Sequence, residues 1–408
     1  MITWTQAKRE PFRVLFPIGT LLGCLGVGHW LAYAARWTEA SSGSFHAFLQ
    51  VGGYMYGFIA GFLMTALPRF SSTPPASTAE LAGALAALAG YVLCLSFGWW
   101  AASLACFIAL LVQLGAFAAR RVAARRGGDA PAEFVWIPIG LLLGIAGAGM
   151  MMARELGGAP VWVSGTGRVL AQQGFLLSIV VGVAGFMAPR LLGRGGLPVR
   201  VDPGDPRWWT RPGVRMAAHA AAGASLAASG VLEGAGMIRP AYALRAAVVT
   251  AELAWTTQCW RPPAVPEGYA RLVWVSLWAI MGGLWAAAWQ PAYRVAMLHV
   301  VFLGGFSLMA FAVATMVVMS HSGEGLRLRN PLWIIRLLGV ALGAALIARL
   351  CADLVPAGYF HALGTAAGAW LLGALAWLWF ALPRLLRAPD AGAFESAHAE
   401  ATVRLERC

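Results

Sequence analysis

The stretch WAASLACFIALLVQLGAFAA, residues 100–119, contains no charged side chain and is followed at once by Arg120 and Arg121. About 20 consecutive apolar residues are what a helix needs to cross the hydrocarbon core of a bilayer. The arginines suit the headgroup region, where their charge meets water and anionic lipid. The stretch therefore predicts a membrane-spanning helix that ends at a basic interface.

Comparable stretches recur along the whole chain of 408 residues, of which 60% are hydrophobic and 12% charged. A mean hydropathy of +0.69 excludes a water-soluble fold. We predict an all-α polytopic membrane protein with about twelve transmembrane helices, one transmembrane domain over residues 1–386 and a polar cytoplasmic tail over 387–408. The predicted spans lie near residues 14–36, 45–68, 79–99, 100–119, 134–153, 168–192, 214–233, 239–260, 270–288, 293–320, 332–352 and 360–383. The boundary between the third and fourth spans carries no charge to mark it.

The formal net charge of +13 comes from arginines that cluster at the ends of the predicted spans. With an even number of spans, the most basic loops all lie on the side of the N-terminus. The positive-inside rule then predicts that both termini are cytoplasmic. The arginines form no basic, aromatic-interleaved face, so we expect lipid headgroups as their partners and no nucleic acid.

Several common chemistries are absent from the sequence. The six cysteines show no C-x-x-C spacing, which argues against a disulfide framework or a zinc site. Covalent c-type haem attachment is excluded because no C-x-x-C-H motif is present. The chain also lacks H-E-x-x-H, G-x-S-x-G and Walker motifs, which removes the familiar hydrolase and NTPase signatures.

A Pro-Arg motif closes three of the predicted spans, at residues 66–69, 187–190 and 381–384. Proline commonly ends a helix and arginine anchors it at the headgroups. The alternative is a duplicated bundle, but the unequal spacing of the three copies does not establish one.

Histidine is the residue through which metal chemistry could enter, because a neutral imidazole can ligate haem iron or copper through one nitrogen. The predicted topology places four histidines in the outer part of the membrane and two near its inner face. The outer four are His29, His46, His299 and His361, and the inner two are His219 and His321. His299 and His321 lie about 33 Å apart along one helix at about 1.5 Å per residue, so they cannot share a metal. The alternative for each is a hydrogen-bonded polar residue at a helix end.

Two further ionisable side chains fall inside the eighth predicted span. Arg245 and Glu252 are seven residues apart and so share one helical face. An intramembrane carboxylate can take part in proton movement or ion coupling, or it can be a neutral acid that hydrogen-bonds a neighbouring helix. Arg349 and Asp353, spaced i, i+4, predict a local ion pair.

Three stretches resemble the NnrS family of membrane haem-copper proteins. The first is GFIAGFLMTALPR, residues 57–69, with His46 before it. The second runs from HVVFLGG, residues 299–305, to His321-Ser-Gly323. The third runs from Gln173 to Pro189 and Gly193.

The resemblance implies a bacterial inner-membrane protein that contains haem and copper and is associated with tolerance of nitric oxide. It implies His46 and His299 as cofactor ligands and His46, His299 and His321 as candidate metal ligands. Nitric oxide or another diatomic molecule would be the small ligand, and respiratory components are candidate partners. The resemblance implies no established catalytic cycle, so enzymatic activity stays open.

The sequence departs from the family pattern at the first ligand. The family reads His-x-His-Glu-Met, whereas residues 46–50 here read His-Ala-Phe-Leu-Gln, and Glu324 stands where the family has arginine. The sequence therefore leaves open whether the protein binds haem without copper or neither of them.

One rival function is a secondary transporter or channel without haem that uses Arg245 and Glu252. Glycine pairs at 52–53, 282–283 and 304–305 favour it. Another is an assembly partner of a respiratory complex.

Overall fold

The computed structural model describes residues 2–126, 130–195 and 211–387. This part of the chain contains a short N-terminal helix, Trp4–Arg9, followed by twelve long helical segments, α1 to α12. Their bounds are Phe12–Ala34, Gly43–Phe70, Thr78–Ser96, Trp100–Ala123, Ala132–Glu155, Val161–Leu191, Pro212–Gly234, Ile238–Thr257, Gly268–Trp289, Pro291–His321, Trp333–Leu354 and Pro356–Leu385. The prediction of an all-α polytopic membrane protein is confirmed.

Ten of these segments are long and apolar enough to cross a membrane. The two that do not meet both conditions are α7 and α8, which are of similar length but carry buried charged side chains. The number of crossings therefore stays a prediction. The unmarked boundary between the third and fourth spans falls at Gly98, whose φ of +71° suits glycine and turns the chain between α3 and α4.

The two ends of the described chain meet at one end of the bundle. The Arg13 guanidinium donates hydrogen bonds to the backbone carbonyls of Arg384, Leu385 and Arg387 at 3.0–3.1 Å. The start of α1 and the end of α12 are thus neighbours, as an even number of crossings requires. We call this end the arginine-rich end and the opposite one, with His46 and His299, the histidine end. That the arginine-rich end is cytoplasmic stays a prediction, and the tail beyond residue 387 lies outside the described residues.

The centre of the bundle is formed by α2, α6 and α10. Their most apolar stretches are 83%, 72% and 56% buried, more than those of the other membrane-length helices. Each contains a π-helical segment, at Leu49–Met55, Leu170–Gly174 and Val300–Ser307. The π-helices recur every fourth span, a regular spacing that the Pro-Arg motifs at the ends of α2, α6 and α12 do not share. An apolar cavity lies between the three helices, bordered by Met55, Phe306 and other side chains without polar atoms.

Candidate functional site

His46 lies in the first turns of α2, directly before its π-helical segment. Its Nδ1 is 2.8 Å from the backbone carbonyl oxygen of Gly26 on α1. A carbonyl oxygen only accepts, so the neutral ring must carry its proton on Nδ1. The lone pair is then on Nε2, which is the state in which a histidine ligates a metal.

His299 repeats this arrangement on α10. Its Nδ1 is 2.7 Å from the carbonyl oxygen of Val295, one turn earlier, and the π-helical segment begins at the next residue. The same argument puts the proton on Nδ1 and the lone pair on Nε2. Both candidate ligands therefore precede a π-helix, a local form that often marks functional sites.

The structure brings these two imidazoles into electrostatic range of each other at the histidine end. The charge of Arg349, a buried residue of α11, reaches both rings. Arg349 also lies 3.1 Å from Asp353, which confirms the predicted local ion pair. A cation that pairs with Asp353 therefore lies within electrostatic range of two imidazoles that are more than 250 residues apart in the chain.

His29 is a third imidazole at this place, and the sequence did not single it out as a ligand. Its Nδ1 lies 3.0 Å from the same Gly26 carbonyl that His46 uses, and the two ring centres are 6.1 Å apart. Its Nε2 is buried and has no hydrogen-bond partner in the described part of the chain. The sequence feature that could have pointed to His29 was its place among the four histidines predicted in the outer part of the membrane. His361, by contrast, is exposed at the start of α12.

Aromatic rings line the site. Trp30 lies 4.7 Å from His29 and 6.3 Å from His46, and Phe302 lies 6.3 Å from His299, all measured between ring centres. Within the described residues, no three or more His, Cys, Asp or Glu side chains are grouped to hold a metal ion. Haem iron needs only one or two axial side chains, so a pair of imidazoles is enough to hold it. A metal ion held by protein side chains alone would need more ligands than this pair supplies.

His321 lies at the arginine-rich end, apart from the other two candidate ligands. Its Nδ1 is 2.6 Å from Glu10 Oε1, and Arg69 donates to its Nε2 at 3.0 Å. Both ring nitrogens therefore have protein partners, and a metal on Nε2 would have to displace Arg69. The predicted metal role of His321 stays a prediction.

Arg245 and Glu252 are both buried on α8, but they bind different partners. Arg245 pairs with Glu233 at 2.9 Å and donates to Ser229 and Gln173. Glu252 accepts from His219 Nδ1 at 2.7 Å and from the Trp136 indole at 3.3 Å. The single polar site that the sequence suggested is therefore two clusters on one helical face.

A family model described as NnrS protein matches residues 7–388, which is nearly the whole chain. The chain belongs to the NnrS family. A search of curated proteins gave no match.

Family membership confirms the resemblance on which His46, His299 and His321 were selected, but the NnrS match by itself assigns no role to any side chain. The arrangement of this NnrS protein adds two residues to the histidine end. His29 belongs to α1 and Arg349 to α11. Their places beside His46 depend on how α1, α2 and α11 pack, which no local sequence pattern contains.

Proposed function

We propose that this protein binds haem through His46 and His299 at the histidine end and acts in the bacterial inner membrane in the response to nitric oxide. One observation carries the proposal. The Nδ1 atoms of both rings are held by backbone carbonyls, so both Nε2 lone pairs are available, and the rings are close enough to influence each other. Haem held in this way would offer a diatomic ligand the axial position that one of the two imidazoles held weakly or left open.

The other residues of the site would act on binding and water exclusion. Arg349 offers a buried positive charge that suits a carboxylate such as a haem propionate. Trp30 and Phe302 offer flat apolar surface for a planar ring and limit the entry of water. The carbonyls of Gly26 and Val295 fix the tautomer and direction of each imidazole.

Absorption spectra and metal analysis of purified protein test this proposal. We expect a Soret band and iron in the wild type, and a shifted or lost band in His46→Ala and His299→Ala. His361→Ala is the matched control, because it removes an exposed histidine at the start of α12 and should leave the spectrum unchanged. Wild-type protein with neither Soret band nor iron would refute haem binding. Copper, which only the family resemblance implies, is measured in the same samples.

A second candidate function is solute transport without haem. The observation that favours it is the burial of Arg245 and Glu252 in two separate polar clusters on α8, because buried charge in a membrane commonly marks a transport path. Haem content separates the two functions first. If no haem is found, solute flux in liposomes with wild-type and Glu252→Gln protein decides whether transport stands.

A further inference from the structure

The helices α7 and α8 face each other with polar side chains along much of their length. These side chains are Arg215, His219, Ser229 and Glu233 on α7, and Tyr242, Arg245, Glu252 and Thr256 on α8. Seven of the eight are buried, and Glu233 is nearly so. Polar residues are costly in a membrane and seldom retained without a use, and none of these eight belongs to the haem site proposed at His46 and His299.

The charges in this stripe are paired. Arg215 binds Glu133 of α5, His219 Nδ1 lies 2.7 Å from Glu252, and Arg245 lies 2.9 Å from Glu233. Because opposite charges cancel, the stripe has little net charge with which to concentrate a metal cation or an anion. The stripe instead contains side chains that can transfer protons and form hydrogen bonds.

Within the described residues, three buried polar atoms in or beside the stripe have no hydrogen-bond partner: His219 Nε2, Ser178 Oγ and Thr166 Oγ1. All three side chains belong to fully buried residues. Unpaired buried polar atoms are rare, and an internal water is the usual partner of such an atom. Their positions on α6 and α7 indicate hydration inside this part of the bundle.

The polar groups follow one another along the bundle. At the arginine-rich end, a Cβ on Gly185 would lie 3.1 Å from Thr256 Oγ1 and 3.2 Å from Glu133 Cγ, so these two side chains meet beside α6. Ser178 is seven residues from Gly185 and so shares its helical face, about 10 Å nearer the histidine end. Glu252 is one turn from Thr256 and therefore lies between these levels.

The path continues beyond Ser178. Gln173, five residues further along α6, accepts from Arg245 and donates to Tyr242 Oη at 3.4 Å. Tyr242 Oη donates to Glu233 at 3.2 Å, near the end of α7. By height along the bundle, Ser178 therefore lies between the Glu252 and Arg245 clusters.

We propose that α5 to α8 enclose a hydrated polar column that conducts protons between the two ends of the bundle. The essential pair is His219 and Glu252. A hydronium ion gives a proton to His219 Nε2, and the Nδ1 proton passes to the Glu252 carboxylate, so one O–H and one N–H bond break while one N–H and one O–H bond form. Glu252 then releases its proton to water on the side of Glu133. The imidazole, now protonated on Nε2, turns so that Nε2 faces Glu252 and the bare Nδ1 faces the incoming water. The next proton binds Nδ1 while the Nε2 proton passes to Glu252, which restores the first tautomer. No electron is transferred.

Proton flux into liposomes that contain the full chain and a pH-sensitive dye tests this column, with a potassium diffusion potential as driving force. We expect the wild type to exceed protein-free liposomes. Glu252→Gln should slow the flux by roughly a hundredfold, because the amide cannot take up the proton. Ser178→Ala should slow it about tenfold, since one hydrogen-bonding group is lost. Ser225→Ala is the matched control, because this serine is only half-buried and donates its hydroxyl hydrogen to the Ala221 carbonyl of its own helix.

A wild-type rate equal to that of empty liposomes, or equal rates for the wild type and Glu252→Gln, would overturn the column. If Glu252→Gln is not recovered as a folded protein, Ser178→Ala decides, and a rate equal to that of Ser225→Ala rejects the proposal. The haem proposal is unaffected by either result, because the column shares no residue with His46 or His299.

Discussion

Glu10 is the residue on which the arginine-rich end converges. Its carboxylate binds Arg13, Arg69 and His321, which belong to α1, α2 and α10. Burial by itself would raise the pKa of Glu10, but the hydrogen bonds and charges of His321 and Arg13 outweigh it and lower the pKa from 4.5 to about 2. A single carboxylate outside the spans thus joins helices from the two ends of the chain.

The lowered pKa makes a prediction about stability and pH. A carboxylate with a depressed pKa stabilises the folded state fully above about pH 4.5, and this contribution is lost as the pH falls toward 2. Glu10→Gln should therefore cost roughly 3 kcal/mol at pH 7, as an order of magnitude. Thermal unfolding in detergent from pH 7 to pH 2.5 measures the difference between variant and wild type. A difference that is constant over this range would contradict the ionised role of Glu10.

Some contacts of single residues could be predicted from the sequence and others could not. The family resemblance selected His46 and His299, and the i, i+4 rule predicted the Arg349–Asp353 pair correctly because both residues are on one helix. The bond from His46 to the Gly26 carbonyl crosses between α1 and α2, and the partner of Glu252 is on α7. Such contacts are set by helix packing, so hydropathy and spacing along one helix could not predict them.

At the scale of helices, α1 and α2 approach most closely through glycine. A Cβ on Gly57 would lie 2.7 Å from Gly19 Cα and 2.9 Å from the Leu15 carbonyl oxygen, so there is no room for a side chain. Gly57→Ala should destabilise the protein by about 1–3 kcal/mol, the usual cost of overpacking. The same helix pair positions His46 against Gly26, so haem content should fall with stability.

Thermal unfolding of detergent-solubilised Gly57→Ala measures this effect. Gly149→Ala is the control, because a Cβ at Gly149 of α5 would meet nothing within 4 Å. That variant should be neutral or gain up to about 1 kcal/mol, since alanine favours a helix. Equal unfolding temperatures for the two variants would show that the close approach of α1 and α2 is unimportant.

The positions of the twelve helices followed from hydropathy, because about 20 apolar residues between polar loops admit few other structures. Hydropathy did not predict the π-helical segments. They insert an extra residue per turn at Leu49–Met55 and Val300–Ser307, where the glycine pairs of α2 and α10 lie. Glycine pairs permit several backbone distortions, so their sequence alone did not separate a π-helix from the broken helix of a transporter.

At the scale of the whole molecule, the meeting of α1 with the end of α12 sets how the chain can lie in the membrane. Arg13 ties both to the arginine-rich end, so they share one side whichever side that is. Hydropathy does not decide the topology of α7 and α8, which are long enough to cross but carry buried charges, Arg215 on α7 and Arg245 and Glu252 on α8. Pairing within the bundle lowers the cost of placing these charges in the bilayer, and we therefore predict twelve crossings.

Alkaline phosphatase, which is active only outside the cytoplasm, tests this topology when it is fused after successive turns. Fusions after Gly98 and Gly236, at the histidine end, should be active, and fusions after Arg125 and Arg387 should be inactive. Gly98 and Arg125 form a matched pair that differs only by α4, so their contrast calibrates a single crossing. An inactive Gly236 fusion beside an active Gly98 fusion would mean that α7 and α8 do not cross. The proton column would then have no second side to reach, because its essential pair, His219 and Glu252, is carried by those two helices.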